Sequence, residues 1–139
     1  MTASPTIFGI VNITQDSFSD GGRHLDPAAA VEHALRLAAA GAQVIDLGAA
    51  ASNIAAAAVG SQEEICRLDP VVTALDAHGL ALSIDSFAPA TQRWALARGV
   101  AYLNDIQGFA DASLYPELAK GKARLVVMHA AQGRGRAQL

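Results

Sequence analysis

The chain has 139 residues, of which 52% are hydrophobic and 17% are charged, with a formal net charge of −3. This composition excludes a disordered chain, and an acidic balance without a basic cluster counts against a nucleic-acid partner. No apolar run approaches the about 20 residues that a membrane-spanning helix needs, so no membrane partner is expected. The single cysteine, Cys66, precludes an internal disulfide and favours a reducing cytoplasm.

Five short apolar runs predict β-strands that are buried on both faces. The runs are continuous and partly β-branched, as is typical of parallel sheets covered by helices. Between them lie alanine-rich segments that predict the covering helices. The five runs occupy residues 7–11, 44–47, 80–84, 100–103 and 125–128.

Proline and glycine mark the ends of two of these helices. Asp26 followed by Pro27 is typical of an N-cap and the first helical residue, and Gly41 is typical of the position just after a helix. Pro89 predicts the start of another helix, which ends before Gly99.

Two further helices are predicted from serine caps. Ser61, with Glu64 three residues later, forms a capping-box pattern at the start of one of them. Cys66 lies inside the same helix, where we expect a buried structural thiol rather than a nucleophile. Ser113 is expected to cap a shorter helix that ends near Gly121.

Strand alternating with helix predicts parallel strands joined by right-handed crossovers. An open doubly wound sheet and a (β/α)8 barrel both fit this alternation. No G-x-G-x-x-G follows the first run, which counts against a dinucleotide-binding sheet. A full barrel takes about 250 residues. We therefore expect one α/β domain over residues 1–139, a parallel TIM-type barrel truncated to about its first five strands, with a disordered or non-native tail at 130–139.

Polar residues close the apolar runs, and in a parallel sheet they converge on one face, where ligands bind. Asp85 and Asn104 are our functional candidates, because a carboxylate and an amide suit edge-on recognition of a planar heterocycle. For Asp46 a functional and a structural role are equally supported, because the loop that follows it has free N–H groups that a carboxylate can satisfy. Asp105 is interpreted as structural, and for His129 a structural role is at least as good as a catalytic one.

The loop that follows the first run is longer than the 2–6 residues of an ordinary strand–helix connection. It spans residues 12–22 and is rich in hydroxyls, amides and glycines, which suit a phosphate group. Asn12 and Asp16 could help to hold Mg²⁺, which prefers oxygen ligands and usually keeps phosphate in its shell.

Residues 8–22 read Phe-Gly-Ile-Val-Asn-Ile-Thr-Gln-Asp-Ser-Phe-Ser-Asp-Gly-Gly and closely resemble the first motif of dihydropteroate synthase. Residues 41–48, 83–86, 103–106 and 127–129 resemble the strand ends that follow, in the family's order. The resemblance covers the chain to about His129. It implies a (β/α)8 barrel that joins dihydropterin hydroxymethyl pyrophosphate to p-aminobenzoate and releases pyrophosphate.

The same resemblance implies roles for particular residues and small-molecule partners, with a homodimer in the full-length family. Asn12 would contact Mg²⁺, the implied cofactor, together with the pyrophosphate. The implied pterin-binding residues are Asp85, Asn104, Ile106 and Met128. The implied residues of the p-aminobenzoate and pyrophosphate loops are Thr14, Ser17, Phe18, Ser52 and Asn53.

Two departures from the family pattern stand out. Ser52 and Asn53 align with a threonine and an arginine of the family's second motif, and this segment resembles the mobile-element-borne, sulfonamide-insensitive branch. The family's second half, with a further pterin carboxylate, a lysine and an Arg/His pair, has no counterpart here. We therefore expect the isolated chain to turn over little or no substrate. The alternatives are a non-catalytic half-barrel that binds pterin weakly and a pterin-binding methyltransferase domain.

Overall fold

Strand and helix alternate along the chain in the computed structural model, which describes residues 4–13, 25–49 and 60–127. The strands form one five-stranded parallel sheet in the order β1-β2-β3-β4-β5. The elements are β1 (Phe8–Asn12), α1 (Pro27–Ala39), β2 (Val44–Gly48), α2 (Ser61–Ala77), β3 (Ala81–Asp85), α3 (Pro89–Ala97), β4 (Tyr102–Asp105), α4 (Tyr115–Lys120) and β5 (Arg124–Val127).

The strand order decides between the two architectures that the sequence left open. Every strand pairs with its neighbour in the sequence, which is the order of a barrel wall. A doubly wound sheet reverses its order at a switch point, and this sheet does not. None of the described helices is long and apolar enough to cross a membrane.

The core lies between the sheet and its helices. Strand residues that alternate along β2, β3 and β4 face it, among them the fully buried Ile45, Ile84 and Leu103. Small residues let α1 approach the sheet closely. A Cβ at Gly9 would come within 3.0 Å of Leu37 Cδ1, so only glycine fits under this helix without a shift.

The start of α1 is as predicted. Asp26 has extended backbone angles and its Oδ1 accepts a hydrogen bond from the Ala29 amide at 2.8 Å, while Pro27 is the first helical residue. Pro89 likewise opens α3. These local signals work because they act within a single turn of helix.

Asp26→Ala is expected to lower the free energy of unfolding by about 1 kcal/mol, since the Ala29 amide loses its capping acceptor. Urea unfolding at pH 7 measures the change. Glu32→Ala on the exposed side of the same helix is the control and should stay within about 0.5 kcal/mol of the parent chain. Equal stability of the two variants would contradict a capping role.

The capping box predicted at Ser61 is wrong. The N-cap of α2 is Gly60, which makes no side-chain cap, and Ser61 is already helical. The carboxylate of Glu64 turns inward, where the hydroxyls of Ser86 and Thr91 donate to it. Ser86 follows β3 and Thr91 lies in α3, so the tertiary contact overrides the local pattern.

The prediction of a buried thiol is also wrong, because Cys66 is exposed. Cys66 follows the inward-facing Glu64 by two positions, which is about 200° around the helix and therefore on the outer side. The expectation for Ser113 is wrong as well. Ser113 lies inside a 3-10 turn, Ala112–Leu114, whose cap is Asp111, and Asp111 accepts from both the amide and the hydroxyl of Ser113.

Candidate functional site

Four residues at the ends of neighbouring strands stand in register across the sheet. Asn12 pairs with Gly48, Gly48 with Asp85, and Asp85 with Asn104. We call this set the strand-end row. Because side chains alternate along a strand, the row faces away from the helices that cover the opposite side of the sheet. Residues that are far apart in sequence thus share one ligand-accessible face.

Gly48 leaves a gap in the middle of this row. A Cβ built on Gly48 would lie 3.3 Å from Asn12 Oδ1 and 3.7 Å from Asp85 Oδ2. The missing side chain therefore exposes the polar atoms of β1 and β3 on either side. Gly48 was not among the site residues predicted from the sequence, although a glycine inside a strand often marks the close approach of a ligand.

Asp85 is an acid with an altered proton affinity. Burial, and after it the negative charges of Asp46, Asp105 and Glu64 in that order of effect, together raise the pKa of Asp85 from 3.8 to about 6. Each of these three comes from a different neighbouring element, namely β2, β4 and α2. Above about pH 6 the group is a carboxylate with two acceptor oxygens.

Asp46 lies one pleat below the row, opposite Ser83, and is only 4% exposed. Burial raises its pKa, and the nearby Ser83 hydroxyl and Asn104 amide offset part of the rise. Asn104 Nδ2 donates to Asp46 Oδ2 at 3.5 Å, so Asp46 helps to orient the amide of the row. Asn104 Oδ1 is buried and finds no hydrogen-bond partner among the described residues, which is unusual for a buried polar atom.

Asp105 faces the other way and has the structural role that the sequence favoured. Its carboxylate is 2% exposed and accepts from the Gln107 amide at 2.7 Å, the Phe109 amide at 3.1 Å and Gln92 Nε2 at 3.0 Å. Phe109 needs this restraint, because its φ of 58° lies in the left-handed region. The loop after β4 is therefore anchored from behind the strand-end row.

The sequence of this chain matches a known protein family. The model for the family described as pterin binding enzyme matches residues 8–138. The chain belongs to this family of pterin-binding enzymes. The resemblance noted in the sequence is confirmed by curated relatives.

Two relatives of this chain come from Escherichia coli. Dihydropteroate synthase type-2 is 62% identical over 132 residues, which are 95% of this chain and 49% of the relative. Dihydropteroate synthase type-1 is 53% identical over 130 residues, which are 94% of this chain and 47% of the relative. The chain spans about half the length of the curated relatives it matches.

Solved structures of dihydropteroate synthases are also similar to this chain. The dihydropteroate synthase of Xanthomonas albilineans with 4-aminobenzoic acid has a TM-score of 0.76 and 42% identity, over 90% of this chain and 47% of that one. The same protein in complex with 7,8-dihydropteroate has a TM-score of 0.74 and 41% identity, over 90% and 45% of the two chains. This similarity confirms the predicted TIM-type parallel barrel, here represented by five strands.

The described part of the chain brings together three of the predicted site residues, Asn12, Asp85 and Asn104. Ile106 lies half-buried in the turn after β4, two residues beyond Asn104. The other residues singled out lie outside the described residues: Thr14, Asp16, Ser17, Phe18, Ser52, Asn53, Met128 and His129, as does the expected tail at 130–139.

Asn12 is the residue that the resemblance connects with Mg²⁺. No group of three or more histidine, cysteine, aspartate or glutamate side chains suited to a metal occurs in the described ranges. Asn12 is exposed and offers one amide oxygen beside the Gly48 gap. That fits a Mg²⁺ ion that keeps several waters and takes most other ligands from substrate phosphates.

Proposed function

We propose that this chain binds the pterin substrate of the dihydropteroate synthase reaction at the strand-end row. The carrying observation is the register that places Asp85 beside Asn104, with the Gly48 gap next to them. A pterin edge carries ring and exocyclic N–H groups next to acceptor atoms. A carboxylate that accepts two hydrogen bonds and an amide that donates and accepts are complementary to such an edge.

The proposed reaction joins dihydropterin hydroxymethyl pyrophosphate to p-aminobenzoate. The C–O bond at the pterin methylene breaks and its electron pair leaves with pyrophosphate. The amine of p-aminobenzoate then forms a C–N bond and loses a proton. Bound Mg²⁺ would offset the charge of the leaving group, with Asn12 as one oxygen ligand. Asp85 and Asn104 would hold the ring while these bonds change.

The sulfonamide-insensitive branch is the proposed subgroup. Its support is Ser52 and Asn53, which stand where the family pattern has threonine and arginine. An asparagine carries no fixed charge, so a sulfonamide anion would lose one attractive contact there. The proposed compartment is the cytoplasm, supported by the single cysteine of the chain.

Gly48→Ala tests the proposed site with a minimal change. The new methyl group enters the gap between Asn12 and Asp85, and we expect the affinity for dihydropterin hydroxymethyl pyrophosphate to fall about tenfold. Isothermal titration at pH 8 measures the affinity. Stability should change by no more than about 0.5 kcal/mol, because alanine suits a strand at least as well as glycine does.

Gly60→Ala is the matched control, since a Cβ there meets nothing within 4 Å. It should bind the pterin as the parent chain does. If the parent chain binds no pterin at any concentration tested, the proposal is wrong. If it binds pterin yet forms no dihydropteroate from added p-aminobenzoate, the non-catalytic half-barrel is the better description.

A further inference from the structure

A carboxylate is buried behind the strand-end row, on the helix side. Glu64 lies in the first turn of α2 and is only 3% exposed. Its Oε1 accepts hydrogen bonds from Ser86 Oγ and Thr91 Oγ1, both at 3.2 Å. Removing a carboxylate from water costs free energy that packing alone does not return. An apolar residue at this position would pack α2 against the sheet at a lower free-energy cost. We therefore expect Glu64 to have a role other than packing.

Ser86, the main partner of Glu64, is held at each of its polar atoms. Its amide donates to the Asn104 carbonyl at 3.1 Å, and its carbonyl accepts from Gln92 Nε2 at 2.8 Å. Its hydroxyl donates to Glu64 and accepts from the Ala88 amide at 3.1 Å. This arrangement fixes the peptide unit that directly follows Asp85.

We infer that Glu64 is a positioning residue that holds the Asp85 carboxylate in its binding orientation by fixing Ser86. The inference rests on the proposed role of Asp85 in pterin binding. Asp85 ends β3 and its chain continues without a regular element until α3, so Ser86 is the first anchor beyond the strand. A ligand-binding group must be held to about 0.5 Å, which usually takes supporting hydrogen bonds behind it.

The same end of α2 also holds the neighbouring strand. Arg67 Nη1 donates to the carbonyl of Ala49, the residue after Gly48, at 2.9 Å. Glu64 and Arg67 are three positions apart and lie on one side of the helix. One helix end thereby ties the ends of β2 and β3, which flank the gap where the pterin edge is proposed to lie.

Two readouts separate positioning from simple stability. The first is hydrogen exchange of the Ser86 amide in the ligand-free chain, followed by NMR, and the second is pterin affinity corrected for the folded fraction. Glu64→Ala is expected to speed Ser86 exchange at least tenfold relative to amides of β2, and to weaken pterin binding at least tenfold. Gln62→Ala is the matched control, because Gln62 is exposed in the same first turn of α2.

Glu64→Gln provides the rescue arm. Its amide oxygen can accept the same two hydroxyls, so affinity at pH 8 should stay within about threefold of the parent chain. It also removes one negative charge near Asp85, so the pKa of Asp85, followed by carboxyl ¹³C shifts, should fall. The charges of Asp46 on β2 and Asp105 on β4 and the burial of Asp85 remain, so its pKa should stay above its ordinary value.

The outcomes are distinguishable. If Glu64→Ala leaves both Ser86 exchange and affinity at control values, the positioning role is excluded. If Glu64→Ala does not fold, Ser86→Ala removes the hydroxyl alone and should weaken binding to a similar degree; unchanged affinity there also overturns the inference. If the parent chain binds no pterin, the proposed function fails, while the exchange result still decides whether Glu64 fixes Ser86.

Discussion

Asp85→Asn is expected to make the folded chain more stable at pH 8 while its pterin affinity drops at least about 100-fold. The loss of affinity follows from replacing a charged, two-acceptor group with a neutral amide. The gain in stability follows from the raised pKa. Folding costs free energy when a group of ordinary pKa 3.8 must stay ionised at a site where its pKa is about 6.

The destabilisation that Asp85 causes in the parent chain depends on pH. The folded state binds the Asp85 proton more tightly than the unfolded state, so the cost is present in full above about pH 6 and is relieved as the pH falls from 6 towards 3.8. The shift of about two pH units sets an upper limit of about 3 kcal/mol. Solvent access to Asp85 reduces this, and we expect a gain of about 1–2 kcal/mol at pH 8.

Urea unfolding of the parent chain and the variant at pH 8 and pH 4.5 checks this prediction. The difference in the free energy of unfolding between the two chains should be large at pH 8. It should be smaller at pH 4.5, where Asp85 is mostly protonated in the folded parent chain. Taking the difference between two chains cancels the titration of all other carboxyls that behave alike in both. A variant that is less stable than the parent at pH 8 would show that Asp85 supports the fold.

Asp105→Ala should have the opposite effect and lower the free energy of unfolding by about 3–5 kcal/mol. The variant removes a carboxylate that accepts three hydrogen bonds in a site 2% exposed to solvent. It leaves two loop amides and one of the two N–H groups of Gln92 Nε2 without an acceptor, and unsatisfied buried donors are costly. It also frees Phe109 to leave its left-handed backbone conformation.

The urea midpoint at pH 7 measures this loss. Asp111→Ala, in the exposed cap of the 3-10 turn, is the control and should cost less than about 1 kcal/mol. If Asp105→Ala is unfolded in buffer, Asp105→Asn, which keeps one acceptor oxygen, should fold with an intermediate loss. A change below about 1 kcal/mol for Asp105→Ala would mean that water replaces the carboxylate at little cost.

The elements of this fold could be predicted where the signal is local. Asp26 and Pro27 mark α1 within one turn, and the apolar runs mark the strands because each strand is short and buried. Glu64 is a residue whose hydrogen-bond partners could not be predicted from the local sequence. Three residues after Ser61 it matches a capping box, yet its partners lie 22 and 27 positions away. Nothing in the local pattern reports hydroxyls supplied by other elements.

The candidate site could be predicted only in part from the sequence. Asp85 and Asn104 could be identified because parallel strands bring their carboxyl ends to one face. Gly48 was missed because its contribution is an absent side chain, which becomes visible only when Asn12 and Asp85 are placed on either side of it. Ser86 was missed because its role depends on all of its neighbours at once.

The alternation at the ends of β3 and β4 bears on how this protein can evolve. At each strand end the first residue, Asp85 or Asn104, faces the ligand side, and the next, Ser86 or Asp105, faces the helices. The proposed recognition and the scaffolding are thus assigned to adjacent residues of the chain. We expect substitutions at the first position to change ligand preference, and substitutions at the second to change stability. A single-residue deletion within either strand would exchange the two sets and destroy both at once.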